Sequence, residues 1–100
     1  MAQYSTSIHF EAGSTTTVTN FTLAGVVGAM VTINSTIPGT RFNLSKASGT
    51  VTANYLAIQD SNATGGAYWD ATNGTNINLG NNIGWDFPPN QINGQFFMFF

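Results

Sequence analysis

The feature that most limits what this chain can fold into is a period of two. Apolar side chains recur two apart in short bursts, Ile8/Phe10, Phe21/Leu23, Val31/Ile33, Phe42/Leu44, Leu56/Ile58 and Ile77/Leu79. Such alternation turns one face of a strand toward a core. Between the bursts stand Gly13, Gly25, Pro38-Gly39, Ser48-Gly49, Gly65-Gly66, Asn73-Gly74 and Gly80-Asn81-Asn82. Gly and Asn tolerate positive φ and Asx-turn geometry, so each burst reads as one strand ended by a turn. Candidate helical stretches are broken by Thr, Val, Gly and Asn, which are poor in helix interiors. The chain is expected to be all-β.

Strands at roughly ten-residue spacing suit either a compact β-sandwich or a short parallel β-solenoid, the β-helix type. Thr17-Val18-Thr19-Asn20-Phe21-Thr22-Leu23 echoes Thr50-Val51-Thr52-Ala53-Asn54-Tyr55-Leu56. If the echo marks a coil, Val31/Ile33 and Phe42/Leu44 occupy the other two faces, and Leu23 stacks under Leu56 or Ile58. The residues leave both architectures open. At 100 residues there is room for one core. The expected division is a β-rich domain over 1–87 and a Pro-led hydrophobic tail or final strand over 88–100. Residues 61–87 hold both tryptophans and few alternations, so they read as loops closing one end, with Trp69 and Trp85 as the lid.

Charge narrows the partners. Glu11, Arg41, Lys46, Asp60, Asp70 and Asp86 make up a charged fraction of 6%, against ~25% in ordinary soluble domains. Solubility therefore falls to Asn, Thr, Ser and Gly. Two basic residues and a net charge of −2 cannot neutralise a run of phosphates, so nucleic acid is not an expected partner. The absence of a basic amphipathic stretch argues against a membrane surface. The weakly polar run from Leu23 to Val31 is far shorter than the ~20 residues of a membrane helix. Without cysteine neither a disulfide nor a thiolate metal site can form. The opening residues Met1-Ala2-Gln3-Tyr4-Ser5-Thr6 carry no secretory signature, so synthesis in a host cytoplasm is expected.

Few residues suggest chemistry. His9 alternates with Ile8 and Phe10 and so points away from their face, without a ligand set around it. Asp70-Ala71-Thr72-Asn73-Gly74 has the start of a calcium loop but lacks its distal carboxylate. Asp and Asn in turns ordinarily bond their own backbone, which is the expectation here. No Gly-x-Ser-x-Gly elbow exists to expose a serine nucleophile. Asp70 and Asp86 beside Trp69 and Trp85 imitate a glycosidase pair, but two tryptophans in a small domain are ordinarily core or lid and the neighbouring carboxylates solubilising. No catalytic residue, cofactor or metal is expected, and the protein is expected not to be an enzyme. Tyr68, Trp69 and Trp85 are the candidate platforms for stacking on a glycan. The sequons at Asn20, Asn34, Asn43, Asn62 and Asn73 follow from an Asn- and Thr-rich composition.

The C-terminal Phe96-Phe97-Met98-Phe99-Phe100 is uncharged and would promote aggregation in water. It must be covered, either as a final strand of the chain's own core or by a neighbouring subunit. Pro88-Pro89 would hold it away from the domain, which makes these five residues the candidate partner-docking segment.

One string carries a resemblance. Asp60-Ser61-Asn62-Ala63-Thr64-Gly65-Gly66, then Tyr68-Trp69, then Gly80-Asn81-Asn82-Ile83-Gly84-Trp85-Asp86-Phe87 resembles a β-rich module recurrent in tail and capsid proteins of tailed bacteriophages and in bacterial surface proteins. The likeness spans about residues 10–87. It departs from the pattern at Ile83, where Thr is usual, and at Asp86, where Ile is usual. It implies a β-helix-like or sandwich scaffold in a virion or surface protein, with no catalytic residues to carry over.

Together these features point to a capsid decoration or cement protein on the outer surface of a phage virion. It would bind other virion proteins, the major capsid protein first, as a homo-oligomer and specifically a trimer. The alternative is a glycan-binding module of a tail fibre or tailspike.

Overall fold

The computed structural model describes residues 6–89. The expectations placed on residues 1–5 and on 90–100, including the docking role of Phe96, Phe97, Met98, Phe99 and Phe100, lie outside them. The described chain is all-β, a solenoid of about four turns in one compact domain, and the sandwich is not formed.

Its strands are β1 (Thr6–Phe10), β2 (Thr15–Thr17), β3 (Val31–Ser35), β4 (Phe42–Ser45), β5 (Thr50–Thr52), β6 (Leu56–Gln59), β7 (Ser61–Thr64), β8 (Tyr68–Asp70), β9 (Ile77–Gly80) and β10 (Trp85–Asp86). Consecutive strands enter different sheets. The first sheet has the order β1-β3-β6-β9, the second β2-β4-β7 and the third β5-β8-β10. All of these pairings are parallel. Parallel pairing of strands this short requires each coil to supply one rung to every sheet, which is the solenoid plan.

Register confirms which bursts stack. Thr6, Val31 and Leu56 align down the first sheet, as do Ile8, Ile33 and Ile58. Phe42 and Leu44 lie on the second sheet over Ser61 and Ala63, so Val31/Ile33 and Phe42/Leu44 do form two separate faces. Leu23, however, does not stack under Leu56, because Val31 holds that place. The Gly25 amide reaches Asn54 O and the Val31 amide reaches Tyr55 O. Residues 26–30 are therefore extra at this corner, and they form a tight hairpin in which Val26 and Ala29 exchange both backbone hydrogen bonds. Phe21 and Leu23 pack against the core without joining a strand.

Residues 61–87 are not a looped lid. They contain β7 to β10 and continue all three sheets. The sparse alternation there misleads because rungs of two to four residues are held by backbone ladders and show only one or two inward side chains each. Trp69 and Trp85 are 2% and 8% exposed and fill the interior, their rings meeting edge to face at 5.0 Å. Phe21 meets both, at 5.8 and 6.2 Å. Aromatic edges on faces are the favoured geometry for such clusters.

Candidate interaction surfaces

Inward side chains change character from coil to coil, and this makes the two ends of the solenoid unlike. In the middle they are Val31, Ile33, Phe42, Leu44 and Val51, then Leu56, Ile58, Ala63 and Trp69, all buried. In the last coil Trp85 is still buried on β10, but the buried positions on and around β9 pass to Asn76, Asn78 and Asn82. Their amides complete backbone hydrogen bonds that a shortened final coil cannot reach. Asn76 accepts from the Leu56 amide at 3.0 Å and donates to Ala53 O at 2.8 Å. Asn82 accepts from the Ser61 amide at 2.9 Å and donates to Ile58 O at 2.8 Å, and also to Asn78 Oδ1 at 2.8 Å. A buried peptide group must find a partner, and an Asn side chain reproduces both halves of one. This end of the core is sealed with polar atoms.

The sealing reverses the phase of β9. Its apolar pair Ile77 and Leu79 faces outward at 43% and 42% exposure, while Asn78 and Gly80 are buried. The alternation is that of a strand, as the sequence indicates, with the opposite side turned to solvent.

At the other end no such seal exists among the described residues. Ile8, Phe10, Val18, Phe21 and Leu23 are only partly buried against the core, with Phe10 stacked on Phe42 at 4.6 Å. β1 and β2 are the outermost strands of their sheets. Beside them a groove of about 240 Å³ runs between Thr17, Val18, Thr19 and Lys46, Ala47, Ser48.

Five of the other exposed large apolar residues lie on the first sheet or at its corners, while Ile83, at 49% exposure, bridges to the second and Tyr68 stands on the third. Val26 and Val27, at 61% and 78% exposure, tip the hairpin leading into β3, and Ile37, at 55%, sits at the corner leaving it. Ile77 and Leu79 lie on the sheet's own outer surface, on its edge strand β9. Asn34 Oδ1, on β3, is buried and without a hydrogen-bond donor.

The sequence-proposed site residues separate. His9 is exposed while Ile8 and Phe10 turn inward. Asp70 is committed locally, Oδ1 accepting from the Thr72 amide at 2.9 Å and the Thr72 hydroxyl at 2.6 Å, which holds its carboxyl below the usual range. This is the Asx-turn expectation. Trp69 and Trp85 offer no surface ring for a sugar, because both are core side chains with their indole N–H groups bonded to Thr64 O and Ser61 Oγ. Of the three candidate platforms only Tyr68 is exposed, at 47%, its hydroxyl donating to the Asp86 carboxylate. The exposed apolar side chains at the corners of the first sheet escaped sequence reasoning, since Val26, Val27 and Ile37 lie in turns and carry no period.

Comparison of the chain with family models, with curated proteins and with solved structures returns no match.

Proposed function

We propose that this protein is a non-catalytic structural component of a phage particle, a decoration or cement subunit seated on the outer surface of the capsid. The observation that carries the reading is the exposure of the apolar side chains Val26, Val27, Ile37, Ile77 and Leu79 on the first sheet and at its corners. Exposed apolar patches on soluble domains mark association surfaces. A partner that contributes apolar side chains of its own would take these residues out of water. The major capsid protein is the proposed partner. A trimer at threefold lattice positions multiplies a modest single contact by avidity.

The test uses gradient-purified particles from cells producing the chain. Mass spectrometry should find the chain in fixed ratio to the capsid protein, and Val27→Asp with Leu79→Asp should remove it from particles while leaving the melting temperature of the free protein within 3 °C. Particles lacking the wild-type chain would refute the reading. Sedimentation of the free protein checks the trimer.

A second reading, a glycan-binding module of a tail fibre or tailspike, is favoured by Tyr68, an exposed ring beside the Asp70 and Asp86 carboxylates. Aromatic stacking plus a carboxylate acceptor is a sugar-binding arrangement. Glycan-array binding lost in Tyr68→Ala, with the fold retained, would select it.

A further inference from the structure

We infer that Asn73-Gly74 is a self-modification site, at which the Gly74 backbone nitrogen attacks the Asn73 side-chain carbonyl and converts Asn73 to aspartate and isoaspartate with water as the sole co-reactant. Asparagine followed by glycine is the pair most open to this reaction, because no Cβ on the second residue shields its nitrogen. The chain has the pair at Asn73-Gly74 and at Asn93-Gly94. The second lies outside the described residues, and the first occupies an exposed turn between β8 and β9. A Cβ placed on Gly74 would meet nothing within 4 Å, and among the described residues no acceptor holds the Gly74 amide. The nucleophile is thus open to the solvent base that must take its proton.

The electrophile is held beside it. Asn73 Oδ1 accepts the Thr75 amide at 3.0 Å, an Asx turn that folds the side-chain amide back over the Gly74 peptide. Attack places negative charge on this same oxygen, so the Thr75 N–H is already aimed where charge develops, as an oxyanion donor must be. The leaving nitrogen, Asn73 Nδ2, donates to Asn54 Oδ1 at 2.6 Å. The step balances without a further reagent. The bond from Gly74 N to Asn73 Cγ forms as solvent base removes the Gly74 amide proton, and the Cγ–Nδ2 bond breaks as Nδ2 takes a proton from water and leaves as ammonia. Water then opens the five-membered imide, at Cγ to give aspartate or at the Asn73 backbone carbonyl carbon to give isoaspartate, whose main chain runs through Cβ. Either product loses the donor that faces Asn54. Isoaspartate also lengthens the chain just before Asn76, whose amide completes the Leu56 and Ala53 hydrogen bonds. Modification therefore loosens the seal of the last coil as the protein ages.

The test incubates the purified full chain in mildly alkaline buffer beside a synthetic peptide of residues 71–77. Proteolysis on the N-terminal side of Asp60, Asp70 and Asp86 releases residues 70–85, which separates Asn73 from Asn93, and tandem mass spectrometry locates the side chain that has exchanged NH2 for OH. A new cut before residue 73 reports aspartate, and resistance there reports isoaspartate. The expected result is conversion at Asn73 at least as fast in the folded chain as in the peptide, and at least tenfold faster than at Asn76, Asn78, Asn81 or Asn82 of the same fragment. Gly74→Ala adds its Cβ to open space at a φ that is not left-handed, so it should keep the melting temperature and slow conversion at least tenfold. Slower conversion in the folded chain than in the peptide, or an unchanged rate in Gly74→Ala, would overturn the assignment. Aged chain should exchange the Leu56 amide, which Asn76 Oδ1 holds, at least fivefold faster than fresh chain, and equal exchange would overturn the loosening.

Discussion

Asp60 and Asn81 occupy the same corner in successive coils, both with left-handed backbone, φ 60° and 61°, and Asn81 Nδ2 donates to Asp60 Oδ1 at 2.6 Å. The other carboxylate oxygen of Asp60 accepts the Gly39 amide at 3.0 Å, while Asn81 O accepts Arg41 Nε at 2.9 Å. One buried side chain thereby ties the corners of three coils. Asp and Asn tolerate left-handed φ and bond locally, which suits them to a one-residue bend.

Replacing Asp60 by Ala should therefore cost about 2–3 kcal/mol, from losing its hydrogen bonds to Asn81 and to the exposed Gly39 amide at ~1 kcal/mol or less each and placing Ala at positive φ for ~1 kcal/mol more. Asp60→Asn should cost less, because it keeps the bend and one acceptor. Urea unfolding of the two variants checks the order.

The asparagine seal gives a second prediction. Asn82→Ala strands the Ser61 amide and Ile58 carbonyl, so a loss of about 2–4 kcal/mol is expected from unpaired buried groups. Asn82→Leu should not rescue it despite filling the volume. If Leu restored the unfolding midpoint, Asn82 would be only a space filler.

Glycine can be separated into freedom and space. A Cβ at Gly84 would stand 2.0 Å from Ala63 O, whereas one at Gly13 meets nothing within 4 Å, although their φ values are alike at +87° and +79°. Gly13→Ala should cost the conformational penalty alone, ~1–2 kcal/mol. Gly84→Ala should cost clearly more, because the chain cannot draw back from Ala63 O without breaking the adjoining bridge, in which the Ala63 amide donates to Ile83 O and the Ile83 amide to Ser61 O. Thermal melts of the pair isolate the difference.

How much of this was legible in the chain differs by coil. Val31/Ile33, Phe42/Leu44 and Leu56/Ile58 alternate in the middle of the core, where an inward position must be apolar, and their strands could be read directly. The last coil could not, since its inward residues are asparagines acting as surrogate backbone and its apolar pair Ile77/Leu79 points outward. Tryptophan position carries no periodic signal, so Trp69 and Trp85 looked like a lid until the parallel register of β8 and β10 set them in the interior. The echo of Thr17–Leu23 in Thr50–Leu56 pairs residues that the ladder keeps apart, since Gly25 already reaches Asn54 and Leu56 lies past that corner with Val31 as its neighbour. Of the candidate surface, the exposed ring of Tyr68 was identifiable from sequence, but Val26, Val27 and Ile37 depended on knowing which corners flank the first sheet.

The final prediction concerns alkaline pH. Tyr68 donates its hydroxyl to Asp86, and that hydrogen bond, followed by desolvation and the charges of Asp86 and Asp70, raises its pKa from the usual 10 to about 12. The folded protein thus holds the phenolic proton more tightly than the unfolded chain does. The stabilisation is complete below pH 10 and disappears as pH rises through 12, the direction required when the folded pKa is the higher one. Exposure of the pair to solvent keeps the energy small, so ionisation is the better readout than unfolding. Absorbance titration near 295 nm should show one phenol ionising late in wild type. That late component should vanish in Tyr68→Phe, and in Asp86→Asn it should move toward 10. A wild-type titration curve without the late component would mean that the Tyr68–Asp86 hydrogen bond does not persist in solution, and with it would go the fixed ring on which the glycan-binding reading depends.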